Sequence, residues 1–195
     1  AKSHQGDTSP RVKSTIDPQN QSSGSEHITD VTNTGQRTLR QLVLALSSLM
    51  AITPIYANVT VNKNADAAHQ ATVLKAGNAA NVWITAPSAS GVSRNSYTQF
   101  DVNQNGVILN NSRGAATSQI TKTSIAANPN LAKGAATTIV NEVVSSNPSL
   151  LQGNLEVLGS RANVVIANPT GITVNGGGFI NANQVTLSTG ALSYN

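Results

Sequence analysis

Residues Asn154–Gly190, NLEVLGSRANVVIANPTGITVNGGGFINANQVTLSTG, decide the fold, because they repeat one pattern: a short apolar run, a corner rich in Asn or Gly, and another short apolar run. The runs Leu155–Leu158, Val164–Ala167, Ile172–Val174, Phe179–Ile180 and Val185–Leu187 are too short for helices, rich in β-branched residues and bounded by Gly, Asn and Pro. They read as strands. No two-residue hairpin loop is evident between them, and the corners are too short to hold the crossover helices of an α/β sheet. Coiling is the remaining solution. Val164–Ile166 returns as Val185–Leu187 after 21 residues, the order of spacing at which successive rungs of a repeat fold stack. The stretch is expected to carry one rung of a parallel β-helix.

The corner Asn168-Pro169-Thr170-Gly171 has the chemistry of a tight turn. The Asn side chain bonds the backbone two residues on, Pro sets φ near −65° and Gly tolerates the exit geometry. The dipeptide recurs in Asn128-Pro129-Asn130-Leu131 and Asn147-Pro148-Ser149-Leu150, at intervals of 19 and 21 residues. One reading is a shared rung period; the other is chance recurrence in the loops of a chain with 23 asparagines.

The segments NGVILNNSRG (105–114), NPNL (128–131), IVNEV (139–143), SLLQGNLEVLGSRANVVIANPTGI (149–172) and GFINANQVTLSTG (178–190) closely resemble the secretion domain of two-partner secretion exoproteins. That family includes filamentous haemagglutinin and the CdiA-type exoproteins of contact-dependent growth inhibition. The resemblance runs from about Val59 to Asn195, and the paired NPNL and NP-x-GI motifs in this order are its specific part. It implies an all-β fold, a right-handed parallel β-helix with an N-terminal β-cap, recognised in the periplasm by the POTRA domains of a dedicated outer-membrane transporter. The residues it marks for transporter recognition or turn formation are Asn128, Pro129, Asn130 and Leu131, and Asn168, Pro169, Thr170, Gly171 and Ile172. Many relatives carry two cysteines just before the GFIN segment, where this chain has Val174 and Gly177; a disulfide role is absent at that place. The chain ends at Asn195, short of a usual secretion domain, so further C-terminal rungs are expected to be missing.

Composition fits a thin stacked core. Apolar residues make up 38% of the chain but aromatic residues only 3%, so the core falls to Val, Ile, Leu and Ala, which suits a solenoid rung. The Asn bias is compatible with Asn ladders between rungs as well as with loops. A net charge of +4 and a pI near 9.7 raise nucleic acid as a partner, yet only 10% of residues are charged and Lys and Arg are scattered singly. Neither an aromatic platform nor a basic run is present to track phosphates. With no cysteine, stability rests on hydrogen bonds and packing.

Residues 1–36 are rich in Ser, Thr, Gln, Asn and Asp without apolar periodicity and are expected to form a disordered extension. Residues 37–57 follow the pattern of a signal peptide: Arg37 and Arg40, an eleven-residue apolar core Leu42–Ile52, and Ala57 before Asn58 as the cleavage bond. That core is too short to span a bilayer. The alternative for this segment is a buried or amphipathic helix. Residues 58–195 are the secretion domain, with Val59–Val61, Ala71–Leu74, Val82–Thr85 and Phe100–Val102 as strands of the cap and first rung. Trp83, Tyr97 and Phe100 are expected to plug the end of the core, with ligand stacking as the alternative. Thr121–Ala127 has no clear assignment, and Ala135–Val144 favours strand over a helical turn.

Catalytic chemistry finds little support. The three histidines, His4, His27 and His69, are far apart, two of them before residue 58, so neither a metal cluster nor a His-based triad assembles, and no metal or cofactor is expected. After Asn58 the acids are Asp66, Asp101, Glu142 and Glu156; a glycosidase needs two facing carboxylates, and single solvated acids fit this spacing better than a Glu142–Glu156 pair. Gly176–Gly178 lacks the following helix and Lys-Ser/Thr of a phosphate loop and reads as a corner. The expected protein is therefore no enzyme. It is a secretion domain of a large exoprotein, a monomer that takes no nucleic acid and no small-molecule substrate, exported through the periplasm to the cell surface or beyond and nucleating β-helix folding there. A β-helical adhesin segment that binds a host or neighbour-cell ligand is the second reading, and a polysaccharide enzyme the third.

Overall fold

The computed structural model describes residues 58–193. The extension expected over 1–36, the leader over 37–57 and Ala57 of the cleavage bond lie outside the described residues. The first strands are β1 (Val59–Val61), β2 (Thr72–Ala76), β3 (Ala79–Trp83) and β4 (Val92–Phe100). The middle of the chain supplies β5 (Val107–Asn111), β6 (Ala116–Thr117), β7 (Ser124–Ile125), β8 (Thr138–Val143) and β9 (Ser149–Leu151). The stretch that decides the fold holds β10 (Asn154–Gly159), β11 (Ala162–Ala167), β12 (Ile172–Val174), β13 (Gly178–Ile180) and β14 (Ala182–Ser188).

These strands coil into a parallel β-helix with three faces. The first face has the order β1-β4-β8-β11-β14 and the second β13-β10-β5-β3-β2. The narrow third face is β9 beside β12, continued by a parallel bridge between Val102 and Leu151. Pairing is parallel from β4 through β14 on the first face and from β3 through β13 on the second. Val164 lies opposite Val185 and Ile166 opposite Leu187, which is the 21-residue return seen in the sequence. The preceding turn of the helix is wider, with Leu155 opposite Val107, because residues 112–137 leave the solenoid as an excursion containing the antiparallel pair β6–β7.

Alternation along each strand sends every second side chain inward, and parallel register stacks those positions into columns. Ala80, Val107, Leu155 and Phe179 form one column of the second face, and Val82, Leu109 and Val157 the next. On the first face Ser93, Ile139, Val164 and Val185 stack, as do Asn95, Asn141, Ile166 and Leu187. The interior is thus mainly Val, Ile and Leu of moderate size, most of them under 2% exposed, with Ser93, Asn95 and Asn141 as buried polar members of the first face's columns, while Phe179 and Leu187 on the last rung remain exposed. Where Gly153 turns toward β10, a Cβ would run into the carbonyl of Asn103, so only glycine lets the rungs approach there.

The cap is antiparallel. β1 pairs with β4 through a bulge, and β2 pairs with β3 across a tight turn at Gly77 and Asn78. This covers the first rung, whose unpaired backbone would otherwise recruit another chain. Beneath the cap, Tyr97 and Phe100 are fully buried with ring centroids 5.0 Å apart, filling the core end as expected. Trp83 does not join them. It alternates to the opposite side of β3 from the inward Val82 and is only half-buried. The strand expected at Phe100–Val102 is displaced: β4 ends at Phe100 and Val102 makes only an isolated bridge, while the polar run SRNSYTQ before it is strand because buried Ser93 and Asn95 are satisfied by Thr85, whose N–H bonds Asn95 Oδ1 at 2.9 Å. The asparagines at 95 and 141 are in register, but each amide donates to a main-chain carbonyl, of Val140 and Val165 respectively, rather than to its neighbour's side chain.

Burial pushes the Tyr97 phenol well above the ordinary tyrosine value of 10.0, since a phenolate in this core would be desolvated. A proton held more tightly when folded gives stability that is complete below the unfolded value and is lost as pH rises through and beyond it. The domain is therefore expected to lose stability from about pH 10 upward, and Tyr97→Phe to flatten that loss in melting curves recorded between neutral and alkaline pH. An equal alkaline decline in both proteins would assign the effect elsewhere.

Candidate functional site

The two Asn-Pro turns are built alike. Asn128 caps a 3-10 turn over Pro129–Leu131: its Oδ1 accepts from Asn130 N–H at 3.0 Å and its carbonyl from Leu131 N–H at 3.2 Å. Asn168 does the same, with Oδ1 accepting from Thr170 N–H at 3.0 Å and its carbonyl from Gly171 N–H at 3.0 Å. Proline follows each Asn where no N–H is required, and its fixed φ suits the first turn position. Gly171 leaves the second turn at φ 128°, a conformation that favours glycine, and Ile172 then opens β12.

Each Asn is also a staple between rungs, which its local sequence does not reveal. The Asn128 amide donates to the carbonyls of Ile84 and Asn110, both at 2.9 Å, and its backbone N–H to Ser112 O at 2.9 Å. The Asn168 amide donates to Asn147 O and Ser149 Oγ, both at 2.9 Å, and its backbone N–H to Ser188 O at 2.9 Å. Both residues are buried, while Pro129, Asn130, Pro169 and Thr170 are exposed. Each turn therefore hides its Asn and presents a Pro-X tip. Leu131 points into the main core, Asn130 adds a bond to Ile84 O at 3.0 Å, and Thr170 Oγ1 donates to Ser145 O at 3.1 Å.

The structure does not bring the two tips together. Asn147 and Asn168 occupy the same corner of successive rungs, between the first and third faces, as the bond from the Asn168 amide to Asn147 O requires. Asn128 lies instead at the end of the 112–137 excursion, against the ends of β3 and β5. The rung period is thus real for Asn147 and Asn168 and fortuitous for Asn128. Asn58, beside the expected cleavage bond, accepts Asp101 N–H through its carbonyl at 3.0 Å.

Among the described residues, Glu142 and Glu156 lie on different faces of the helix rather than facing one another. Glu142 lies on the first face with Arg94 at 3.5 Å, and Glu156 lies on the second face, 2% exposed. Glu156 is thus a buried group rather than a solvated acid, and its carboxylate accepts from the Ser118 hydroxyl at 2.6 Å and from the N–H groups of Gln119 and Ile120 at 2.8 and 3.2 Å. Sequence reasoning missed it because the donors sit 36 to 38 residues upstream. Among the described residues no group of three or more His, Cys, Asp or Glu is placed to hold a metal ion.

A family model described as TPS secretion domain matches residues 56–195. Toxin CdiA of Yersinia pestis is 49% identical over 140 residues, covering 71% of this chain and 4% of that protein. A hemolysin of Serratia marcescens is 48% identical over 109 residues, covering 56% of this chain and 7% of that protein. The crystal structure of a filamentous hemagglutinin secretion domain superposes with a TM-score of 0.63 at 40% identity, covering 70% of this chain and 44% of that one. The chain thus spans a small fraction of the length of the curated relatives it matches.

Proposed function

This chain belongs to the two-partner secretion (TPS) domain family, and from that premise we propose that it is the address of a larger exoprotein, read in the periplasm by the POTRA domains of a cognate outer-membrane transporter. In this reading residues 37–57 are the leader that delivers it there, with cleavage between Ala57 and Asn58, and the domain is exported to the cell surface or beyond. The observation that carries the reading is the pair of Asn-Pro turns: a buried Asn saturated with hydrogen bonds holds an exposed Pro-X tip at a fixed place. Fixed, exposed, uncharged tips suit recognition rather than catalysis, since no titratable group stands beside them in either turn sequence.

Once through the pore, the capped first rung is a template on which each later rung pairs only with its predecessor. Folding then follows emergence without waiting for distant segments. The relatives that carry this kind of domain bear toxin and hemolysin names, so the address is separable from the activity that follows it. In cells making the cognate transporter, the chain is expected in the medium with Asn58 as its first residue. Export that persists after deletion of the transporter's periplasmic domains would rule this function out, and secreted material still carrying Leu42–Ile52 would rule out the leader.

A further inference from the structure

Glu156 does more than fill a buried position. All three of its donors come from the loop between β6 and β7, and a desolvated carboxylate is tolerated only when so satisfied. Leu158, next on the same side of β10, joins Ala79, Ile108 and Ile125 in a second apolar cluster, with Ala116 and Ile120 packed against it. The β6–β7 hairpin is therefore a flap over the outer side of the second face. Two of its anchors, Glu156 and Leu158, lie later in the chain than the flap itself. The Asn128 turn at the other end of the excursion is anchored on Ile84 and Asn110, which lie earlier. A chain that coils from its N-terminus can seat the Asn128 turn, and rest Ile125 on Ala79 and Ile108, before β10 exists, but the Glu156 and Leu158 contacts that complete the flap must wait for it.

We propose that Glu156 is a latch that ends recognition: the flap over residues 112–126 stands open beside the Asn128 turn until β10 pairs with β5, the transporter's periplasmic domains bind that open form, and capture of the 118–120 loop by Glu156 releases them. The proposal rests on the transporter reading above. It makes a linked quantitative demand, because a ligand that needs a minor conformer binds with an apparent Kd equal to its intrinsic value divided by the populated fraction. Whatever factor a latch variant adds to flap opening must reappear as the same factor of tighter binding.

Glu156→Gln keeps size and one acceptor but removes the charge, and Ser118→Ala removes the shortest bond. In the full chain, hydrogen exchange within 112–126 is expected to accelerate roughly tenfold or more in either variant, the factor set by losing a charge-assisted bond, with β8 and β11 unchanged. Titration with the purified periplasmic domains should show affinity raised by the same factor. Ile166→Val, which trims the inner core of the first face, should not speed flap exchange selectively or tighten binding. Flap exchange at the wild-type rate, or acceleration spread evenly over the chain, overturns the latch. Faster flap exchange with unchanged affinity, in a chain whose wild type binds, overturns the release step alone. Absence of binding by the wild-type chain overturns the transporter reading, and the release step with it.

Discussion

Phe100→Ala is expected to destabilise the domain by about 3–5 kcal/mol, the usual cost of emptying a buried aromatic site. Phe100 is fully buried and packs tilted against Tyr97 with ring centroids 5.0 Å apart, and both belong to the core cluster that joins the cap residues Val61 and Ala71 to the first rungs. A compact globule has other large side chains to close around such a cavity. Here the neighbours are chiefly Val, Ile and Leu fixed in stacked columns, so relaxation is limited and the upper part of the range is expected. For a domain of this size the melting temperature should fall by about 10–20 °C. Because cap and first rung share this cluster, exchange protection should be lost first in β1 and β4. A fall of only a degree or two in calorimetry would mean that the cap is not held by this pair.

Asn128→Ala is expected to cost about 2–4 kcal/mol, more than a surface turn residue would. The substitution strips the acceptor from Asn130 N–H and removes the amide that bonds Asn110 O and Ile84 O. Ile84 O keeps the Asn130 amide at 3.0 Å, so its loss is partial. Asn168→Ala should behave similarly, since its amide holds Asn147 O and Ser149 Oγ of the preceding rung. Asn128→Asp separates the two roles: the carboxylate still accepts from Asn130 N–H but faces two carbonyls, so it should be at least as damaging as alanine. If either Asn→Ala variant melted like the wild type, the inter-rung staples would not be stabilising.

The sequence spoke clearly wherever a local rule and the global fold coincide. Ile172–Val174 is a strand because it is β-branched, bounded by corners and stacked on β9, and each of those facts has a trace within a few residues. β4 was hidden for the opposite reason. Its inward Ser93 and Asn95 are polar, and they are tolerated only because Thr85 and Val140 supply partners from elsewhere, which no window of sequence can display. The Asn-Pro turns show both situations at once. Their hydrogen-bonded form follows from four residues, and it is the same at 128 and 168. Their location depends on the length of the 112–137 excursion, so Asn128 arrives at a different corner from Asn168 despite a matching interval. Glu156 illustrates the limit most plainly, as a lone acid whose meaning is set by a hairpin more than thirty residues away.

The reading of this chain as an address is tested most directly by calorimetric titration of the purified 195-residue chain with the periplasmic domains of its cognate transporter. Saturable one-to-one binding is predicted, weakened in Asn128→Ala and tightened in Glu156→Gln. No heat of binding at concentrations well above those of the periplasm, with a chain shown to be folded, would contradict it.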